Sequence, residues 1–232
     1  MFKKDNILKS LTFSYFVIAF FEIVSEYFVY TPFICSLKPL IPLMLAVIYL
    51  IHSDHKNPIF VIALLLSMVV NIFFIPDTPI YLYYALIVFT VHRIVVIYLI
   101  FTLQKVKDYI PLIIATTPFL LIFFYLFIET NEIPANSFYF LIFQNILIAI
   151  FAGIALSSYV MNDNKQNSVL LISVLLFVML QFTVFIEKYF LVNEFQKLFR
   201  PLAMTFNTLA FFSLYKYVVI AEKSNQDGFS AS

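Results

Sequence analysis

The chain has 232 residues, of which 63% are hydrophobic and only 12% are charged, and its formal net charge is +1. Soluble domains carry roughly 45–50% apolar and about 25% charged residues, and one globular core cannot hide this much apolar surface. The composition therefore predicts an integral membrane protein. It also excludes several kinds of site. Two glycines cannot build a phosphate-binding loop, one cysteine cannot form an intrachain disulfide or a multi-thiolate zinc site, and the near-neutral charge argues against nucleic acid as a partner.

Eight apolar runs are separated by short segments that mix charged with turn-forming residues. Most of them approach the roughly 20 residues that a helix needs to cross the hydrocarbon. They predict transmembrane helices at residues 10–30, 38–52, 58–75, 79–103, 110–128, 137–161, 168–186 and 200–221. No soluble segment of domain size is left over, so we predict one all-α membrane domain over residues 1–232, a bundle of eight transmembrane helices. The first run is too long for a cleaved signal peptide and lacks a small-residue cleavage site.

An even number of spans places both termini on the same side of the membrane. The termini and loops on that side carry eight lysines, whereas the loops on the opposite side carry four Lys or Arg residues. Because positive charge is retained in the cytoplasm, we predict cytoplasmic termini, in a membrane of the bacterial inner (plasma) membrane type.

Polar side chains inside the predicted spans fall at a common depth. The chain alternates direction, so a residue late in an odd span lies at the same level as one early in an even span. Glu22 and Glu26 lie four residues apart on one face of the first helix. The residues that share their half of the membrane, or lie near its middle, are Lys38, Ser67, Asn71, His92, Arg93, Gln144, Asn145, Gln181 and Asn207. Each costs a few kcal/mol at a helix centre, which predicts that they line one cavity opening toward the outer leaflet.

These residues also have purely structural interpretations. Amide and hydroxyl side chains often hydrogen-bond between packed membrane helices, for about 0.6–2 kcal/mol each. Two neighbouring carboxylates at mid-depth do not both stay ionised without a cation, so either one is protonated or Lys38 or Arg93 neutralises the pair. A structural ion pair is the alternative to a functional one.

The loop residues His52, Asp54 and His55 look like a metal-ligand cluster. Catalytic zinc needs three protein ligands, and no third histidine is near in sequence. We therefore predict neither a metal site nor a cofactor.

Four segments, in chain order over about residues 35–220, resemble segments of the YhhN family, the eight-span membrane proteins that include lysoplasmalogenases. Lys38-Pro39-Leu40 resembles the family's Lys-Pro followed by an apolar helix, and residues 89–92, Phe-Thr-Val-His, resemble its Phe-x-x-His helix. Residues 67–71 stand where the family has Ser-x-x-Gly-Asp, and residues 175–181 resemble its Leu-Leu-Phe-x-x-Ser-Asp segment. Asn71 and Gln181 replace the aspartates of the last two segments.

The resemblance implies hydrolysis of the vinyl ether of a lysoplasmalogen to a fatty aldehyde and a glycerophospho-base. This reaction needs an acid that protonates the enol-ether carbon and a base that activates water. We expect Glu22 and Glu26 to act as acid and base, His92 to be a second proton carrier, and Asn71 and Gln181 to orient water or the ether oxygen. The expected substrate-binding residues are Lys38, Arg93, Ser67 and Asn207, with Lys38 or Arg93 meeting the lipid phosphate.

The missing aspartates favour an alternative, a catalytically silent family member that binds or senses a lysolipid in the same cavity. Under either interpretation the partner is a lysophospholipid or another amphipathic lipid. A transporter is disfavoured, because the sequence has no two-fold repeat and no pair of interrupted spans in corresponding halves.

Overall fold

The computed structural model describes residues 2–104, 109–130, 135–190 and 195–230. Within these ranges the chain is helical and contains no β-strand. The elements are α1 (Phe2–Phe28), α2 (Thr31–His52), α3 (Pro58–Phe73), α4 (Pro79–Leu103), α5 (Tyr109–Glu129), α6 (Ala135–Met161), α7 (Lys165–Phe185), a π-helical turn (Ile186–Phe190) and α8 (Gln196–Ser230). The predicted all-α architecture is confirmed.

Seven of these helices are long and apolar enough to cross a membrane, judged by length and composition. The remaining one, α3, has 16 residues, which corresponds to about 24 Å of helix at 1.5 Å per residue. That is short of a typical hydrocarbon core of about 30 Å. The chain is therefore an integral membrane protein with seven helices of spanning length and one shorter apolar helix.

The second helix is longer than predicted. It begins at Thr31 instead of residue 38, directly after a turn in which Val29 has a φ of 55°. Pro32 lies in the first turn of the helix, where its missing N–H removes no helical hydrogen bond. The prediction was wrong because polar residues near this start interrupt the apolar run. Lys38 consequently lies about two turns inside the helix.

The bundle is organised around α8, which packs against α7, α1, α2 and α4. Tyr15 Oη on α1 donates a hydrogen bond to the Thr208 carbonyl at 2.9 Å, and Ser173 Oγ on α7 donates to the Ala210 carbonyl at 3.0 Å. Both neighbours are thus fixed to α8 by a buried hydrogen bond as well as by apolar packing. The short helix α3 packs between α2 and α4.

The fifth helix lies at the edge of the bundle, mainly on α6. The two backbones approach closely at Gly153, where an added Cβ would lie only 1.9 Å from Thr116 Oγ1. The opposite face of α5 exposes large apolar side chains, including Ile113, Leu121 and Phe124. This is the distribution expected of a helix that faces lipid.

The end of the bundle that contains the N-terminal residues is closed by a satisfied polar network. Glu222 on α8 accepts hydrogen bonds from Tyr49 Oη and Ser53 Oγ, both at 2.6 Å. Nearby, Lys4 Nζ donates to the exposed Asp54 carboxylate at 3.1 Å, and this hydrogen bond and charge lower the pKa of Asp54 below its ordinary value.

Candidate functional site

A cavity of about 130 Å³ lies at the opposite end of the bundle, where α1 and α3 end and α2 and α8 begin. Apolar side chains such as Val70, Phe74 and Met204 form part of its wall. The charged and amide side chains in the wall are Glu26, Lys38, Asn71, Gln181, Glu187, Lys188, Arg200 and Asn207. Polar groups from α1, α2, α3, α7 and α8 therefore meet in one space inside an otherwise apolar bundle.

One wall of the cavity is built around a buried ion pair. Lys38 Nζ lies 2.5 Å from Glu26 Oε1, and the two side chains are 12% and 3% exposed. Asn71 Nδ2 donates to the backbone carbonyl of Lys38 at 3.1 Å. These contacts tie α1, α2 and α3 together, and they make Lys38 the cation that neutralises Glu26.

The outer rim of the cavity is formed by two acids and two bases. Lys188 Nζ lies 2.6 Å from Asp77 Oδ1 and 3.0 Å from Glu187 Oε1. Arg200 also binds both acids, with its Nε 3.1 Å from Glu187 Oε1 and its Nη2 on Asp77 Oδ2. The network joins the α3–α4 loop, the π-helical turn and the first turns of α8.

The charges of this rim affect the pKa of Asp77, which lies in the loop between α3 and α4. Partial burial raises the pKa of Asp77, but the hydrogen bonds and charges of Lys188 and Arg200 outweigh burial and lower it below the ordinary value. Asp77 also has a positive φ of 48°, a conformation that aspartate tolerates better than most residues. Asp77 is therefore a carboxylate held by two cations.

Behind the inner wall lies the guanidinium of Arg93, which is 1% exposed. Its Nη2 donates to Gln181 Oε1 at 3.4 Å, and Gln181 Nε2 in turn lies 3.5 Å from Asn145 Oδ1. The guanidinium carbon lies 4.7 Å from the centre of the Phe89 ring and 5.7 Å from that of Phe177. Gln181 and Phe89 also line the cavity, so Arg93 is separated from it by a single layer of side chains.

Three further predicted site residues are buried outside the cavity wall. Glu22 is 0% exposed, lies one turn before Glu26, and neither of its carboxyl oxygens has a hydrogen-bond partner among the described residues. His92 stacks on Phe89 at 5.9 Å, and neither of its ring nitrogens has a partner in the described part of the chain. Ser67 is buried in α3, one turn before Asn71.

The nine predicted site residues thus divide into two groups. Five of them line the cavity: Glu26, Lys38, Asn71, Gln181 and Asn207. The other four, Glu22, Ser67, His92 and Arg93, are buried nearby without lining it. Of the two amides predicted at the same level, Asn145 bonds to Gln181, whereas Gln144 Nε2 donates to Thr90 Oγ1 at 2.8 Å in a contact between α6 and α4.

The sequence analysis does not predict Glu187, Lys188 and Arg200 as site residues, because they fall in or next to the segment between the seventh and eighth apolar runs. Their position in the sequence is nevertheless informative. Glu187 and Lys188 follow the seventh apolar run and Arg200 opens the eighth, at the same end of the bundle as Lys38. The pairing of Lys188 and Arg200 with Asp77, more than 100 residues away in the chain, has no sequence signal.

Two members of the cluster of His52, Asp54 and His55 have other partners. His52 Nδ1 lies 2.5 Å from Tyr215 Oη, and Asp54 binds Lys4. Over the described ranges, no three His, Cys, Asp or Glu side chains gather in a way that could hold a metal ion.

The cavity combines amide groups, which can orient water or an ether oxygen, with paired charges and a nearby buried cation. Its apolar neighbours continue into a smaller pocket of about 20 Å³ lined by Leu82, Leu86, Phe89 and Leu141 among others. Such a combination can hold the polar end of an amphiphile next to an apolar surface. No family model, curated protein or solved structure matches this chain.

Proposed function

We propose that this protein binds a lysophospholipid-type amphiphile, with the polar end of the ligand in the cavity between α1, α2, α3, α7 and α8. The observation that carries the proposal is the convergence of Glu26, Lys38, Asn71, Gln181 and Asn207 on one partly open cavity. Polar side chains inside a membrane bundle are costly, and where they gather around a cavity they mark a ligand or a pathway.

The size of the cavity supports a ligand with one polar group. The cavity of about 130 Å³ well exceeds the roughly 10–15 Å³ that a cavity needs to hold one water molecule. This is room for a headgroup fragment, and it leaves the acyl chain to lie along the neighbouring apolar surfaces.

A second candidate function is hydrolysis of the vinyl ether in a lysoplasmalogen, as the resemblance to the YhhN family implies. Glu22 and Glu26 favour it, because they are two buried carboxyl groups one helical turn apart, one in the cavity wall and one behind it. Protonation of the enol-ether carbon by Glu22 would give an oxocarbenium ion, and water deprotonated by Glu26 would add to it. The resulting hemiacetal would collapse to the fatty aldehyde and the glycerophospho-alcohol.

We also propose that all eight helices cross the membrane, that both termini are cytoplasmic, and that the membrane is a bacterial inner membrane. The ion pair between Lys4 and Asp54 and the hydrogen bonds of Glu222 to Tyr49 and Ser53 support a common side for the termini. With this orientation the cavity lies in the outer half of the bilayer.

Ligand binding can be measured with a tryptophan reporter, since the natural chain has no tryptophan. We expect the emission of an Ile75→Trp variant, whose reporter lies in the cavity wall, to change saturably when 1-oleoyl lysophosphatidylethanolamine is added in dodecyl maltoside. A Val160→Trp variant is the control, because Val160 is 73% exposed near the far end of α6. Identical responses from the two reporters would contradict the binding proposal.

A matched pair of substitutions tests whether the cavity wall is responsible. Asn71→Leu removes a cavity amide at similar size and should weaken lysolipid binding about tenfold, the value of one lost hydrogen bond. Thr117→Val removes a hydroxyl from the exposed face of α5 and should leave affinity unchanged. Equal lysolipid affinities for both variants would show that the cavity wall is not the binding site.

Hydrolysis can be tested by incubating the protein with lysoplasmenylethanolamine and measuring fatty aldehyde by mass spectrometry. Aldehyde from the natural protein that is lost in Glu22→Gln or Glu26→Gln would support catalysis by these carboxyl groups. Aldehyde only from an Asn71→Asp, Gln181→Asp double variant would favour the silent binder. Aldehyde from neither protein would refute hydrolysis while leaving the binding proposal in place.

A further inference from the structure

The cations in the cavity wall already have carboxylate partners. Lys38 lies 2.5 Å from Glu26, while Lys188 and Arg200 both bind Asp77. An anionic ligand that bound any of these three side chains would compete with a carboxylate that is already in place. The rim and the α1–α2 wall are therefore poor sites for an anion.

Arg93 differs from them, because it has no carboxylate within ion-pair distance in the described part of the chain. Its Nε and Nη1 have no hydrogen-bond partner there, and its Nη2 has only the neutral Gln181 Oε1 at 3.4 Å. The rings of Phe89 and Phe177 flank the guanidinium, which is 1% exposed.

A fully buried cation with free donors is expensive in a membrane bundle. Transferring a charge from water into a low-dielectric interior costs several kcal/mol even after relaxation, unless an opposite charge and hydrogen bonds compensate for it. The aromatic rings supply only part of that compensation, through cation–π contacts. A guanidinium with two free N–H directions is shaped to receive a planar oxyanion in a bidentate manner.

The path from the cavity to Arg93 is short. Phe89 and Gln181 belong both to the cavity wall and to the immediate surroundings of the guanidinium. Rotation of the Gln181 side chain would remove the one weak acceptor from Nη2 and open the guanidinium to the cavity.

We propose that Arg93 is the anion site of the cavity: the oxyanion of an amphiphile, a phosphate or a carboxylate, displaces Gln181 Oε1 and pairs with the Arg93 guanidinium. The inference rests on the amphiphile-binding function proposed above and assigns its charge recognition to Arg93 rather than to Lys38, Lys188 or Arg200. Gln181 then acts as a neutral placeholder that keeps the guanidinium partly bonded while the cavity holds no ligand.

Substitution of Gln181 by Glu gives the sharpest test, because it places a carboxylate of nearly the same shape beside Arg93 in the protein itself. We expect Gln181→Glu to raise the melting temperature and to weaken binding of anionic amphiphiles about ten- to hundredfold, the value of hydrogen bonds to a charged group. Asn71→Asp is the charge-matched control, since it adds the same charge to the wall formed by α3. Its effect on anion affinity should be clearly smaller.

The probes are 1-oleoyl lysophosphatidylglycerol for a phosphate, oleate for a carboxylate and 1-monooleoylglycerol as the uncharged analogue, with the Ile75→Trp reporter in dodecyl maltoside. We expect at least one anion to bind tenfold or more tightly than monooleoylglycerol. The anion that does so identifies the source of the oxyanion. Arg93→Gln should abolish this preference, whereas Lys216→Gln, which removes a cation of α8 outside the cavity wall, should keep it. If Arg93→Gln does not fold, the effect of Gln181→Glu on anion affinity tests the Arg93 assignment by itself.

The outcomes separate the two proposals. Equal binding of charged and uncharged probes would overturn the Arg93 assignment and leave the amphiphile site intact. The assignment would also be overturned if Gln181→Glu left the anion preference unchanged, or if Lys216→Gln removed it. Absence of any saturable binding would overturn both proposals.

Discussion

The ion pair between Lys38 and Glu26 should dominate the stability of the cavity wall. The two charged atoms are 2.5 Å apart and the side chains are only 12% and 3% exposed, so solvent screens the pair weakly. Their Coulomb attraction is about 7 kcal/mol at an effective dielectric constant of about 20, and desolvation offsets much of it. Removing one partner leaves the other charge buried and unpaired, which costs about 3–5 kcal/mol.

We therefore expect Glu26→Gln and Lys38→Met to be strongly destabilising as single substitutions. For a chain of this length, 1 kcal/mol corresponds to about 2–4 °C, so each should lower the apparent melting temperature by about 6–20 °C. The double variant removes both charges together and should lie within about 1–2 kcal/mol of the natural protein. The measurement is thermal unfolding in dodecyl maltoside at one scan rate.

The chain offers a matched control in the exposed pair of Lys4 with Asp54, whose side chains are 50% and 82% exposed. Exposed pairs contribute about 0–1 kcal/mol, so Lys4→Gln should change the melting temperature by only a few degrees. If the losses of the Glu26 and Lys38 single variants simply add in the double variant, the pair is not coupled and the reasoning fails.

Three further predictions concern packing, acid stability and the closed end of the bundle. Gly153→Ala should push α5 away from α6, because the new Cβ overlaps Thr116, and should lower the free energy of unfolding by about 1–3 kcal/mol. An unchanged melting temperature would show that the two helices can separate without loss of stability. The Asp77 carboxylate stabilises the protein fully above the ordinary aspartate pKa of about 3.9, and this contribution is lost as the pH falls through the lowered pKa of the folded protein. Melting scans from pH 7 downward should thus show the difference between natural protein and Asp77→Asn shrinking only below about pH 4; a difference independent of pH would contradict it. Glu222→Ala should cost about 2–4 kcal/mol, since it leaves the buried Ser53 hydroxyl and a tyrosine without their acceptor, and melting equal to the natural protein's would show that this network is dispensable.

Most of the helical architecture can be predicted from the sequence, because apolar runs and polar punctuation determine where a chain can cross a bilayer. The start of α2 could not, since Pro32 opens a helix inside a stretch that looks like a loop. Hydropathy alone also does not decide whether α3 crosses the membrane. A 16-residue helix can do so only with the help of its neighbours or of local thinning of the bilayer.

The sequence predicts the depth at which the site residues lie in the membrane, but not which of them line the cavity. Alternation of direction places Glu26, Asn71 and Gln181 at one height, and all three line the cavity. Rotation about each helix axis is set by packing, which the sequence pattern of so apolar a chain does not reveal. The sequence pattern also does not show how deep the cavity reaches: Glu22, on the same face as Glu26 but one turn deeper, lies behind the wall.

The two ends of the bundle differ in how well their buried polar groups are satisfied by hydrogen bonds. At the N-terminal end, the buried carboxylate of Glu222 has hydrogen-bond donors on both oxygens. The described buried side-chain atoms without a partner belong instead to the middle and the opposite half: Glu22, His92, Arg93, Gln144, Tyr189 and Thr208. None of these six residues lines the cavity, but Glu22 lies one turn from Glu26 in its wall, and His92 and Arg93 both contact Phe89, which belongs to the same wall. A ligand or water that passed this layer of side chains would supply hydrogen-bond partners to Arg93, which is the position that we propose for charge recognition.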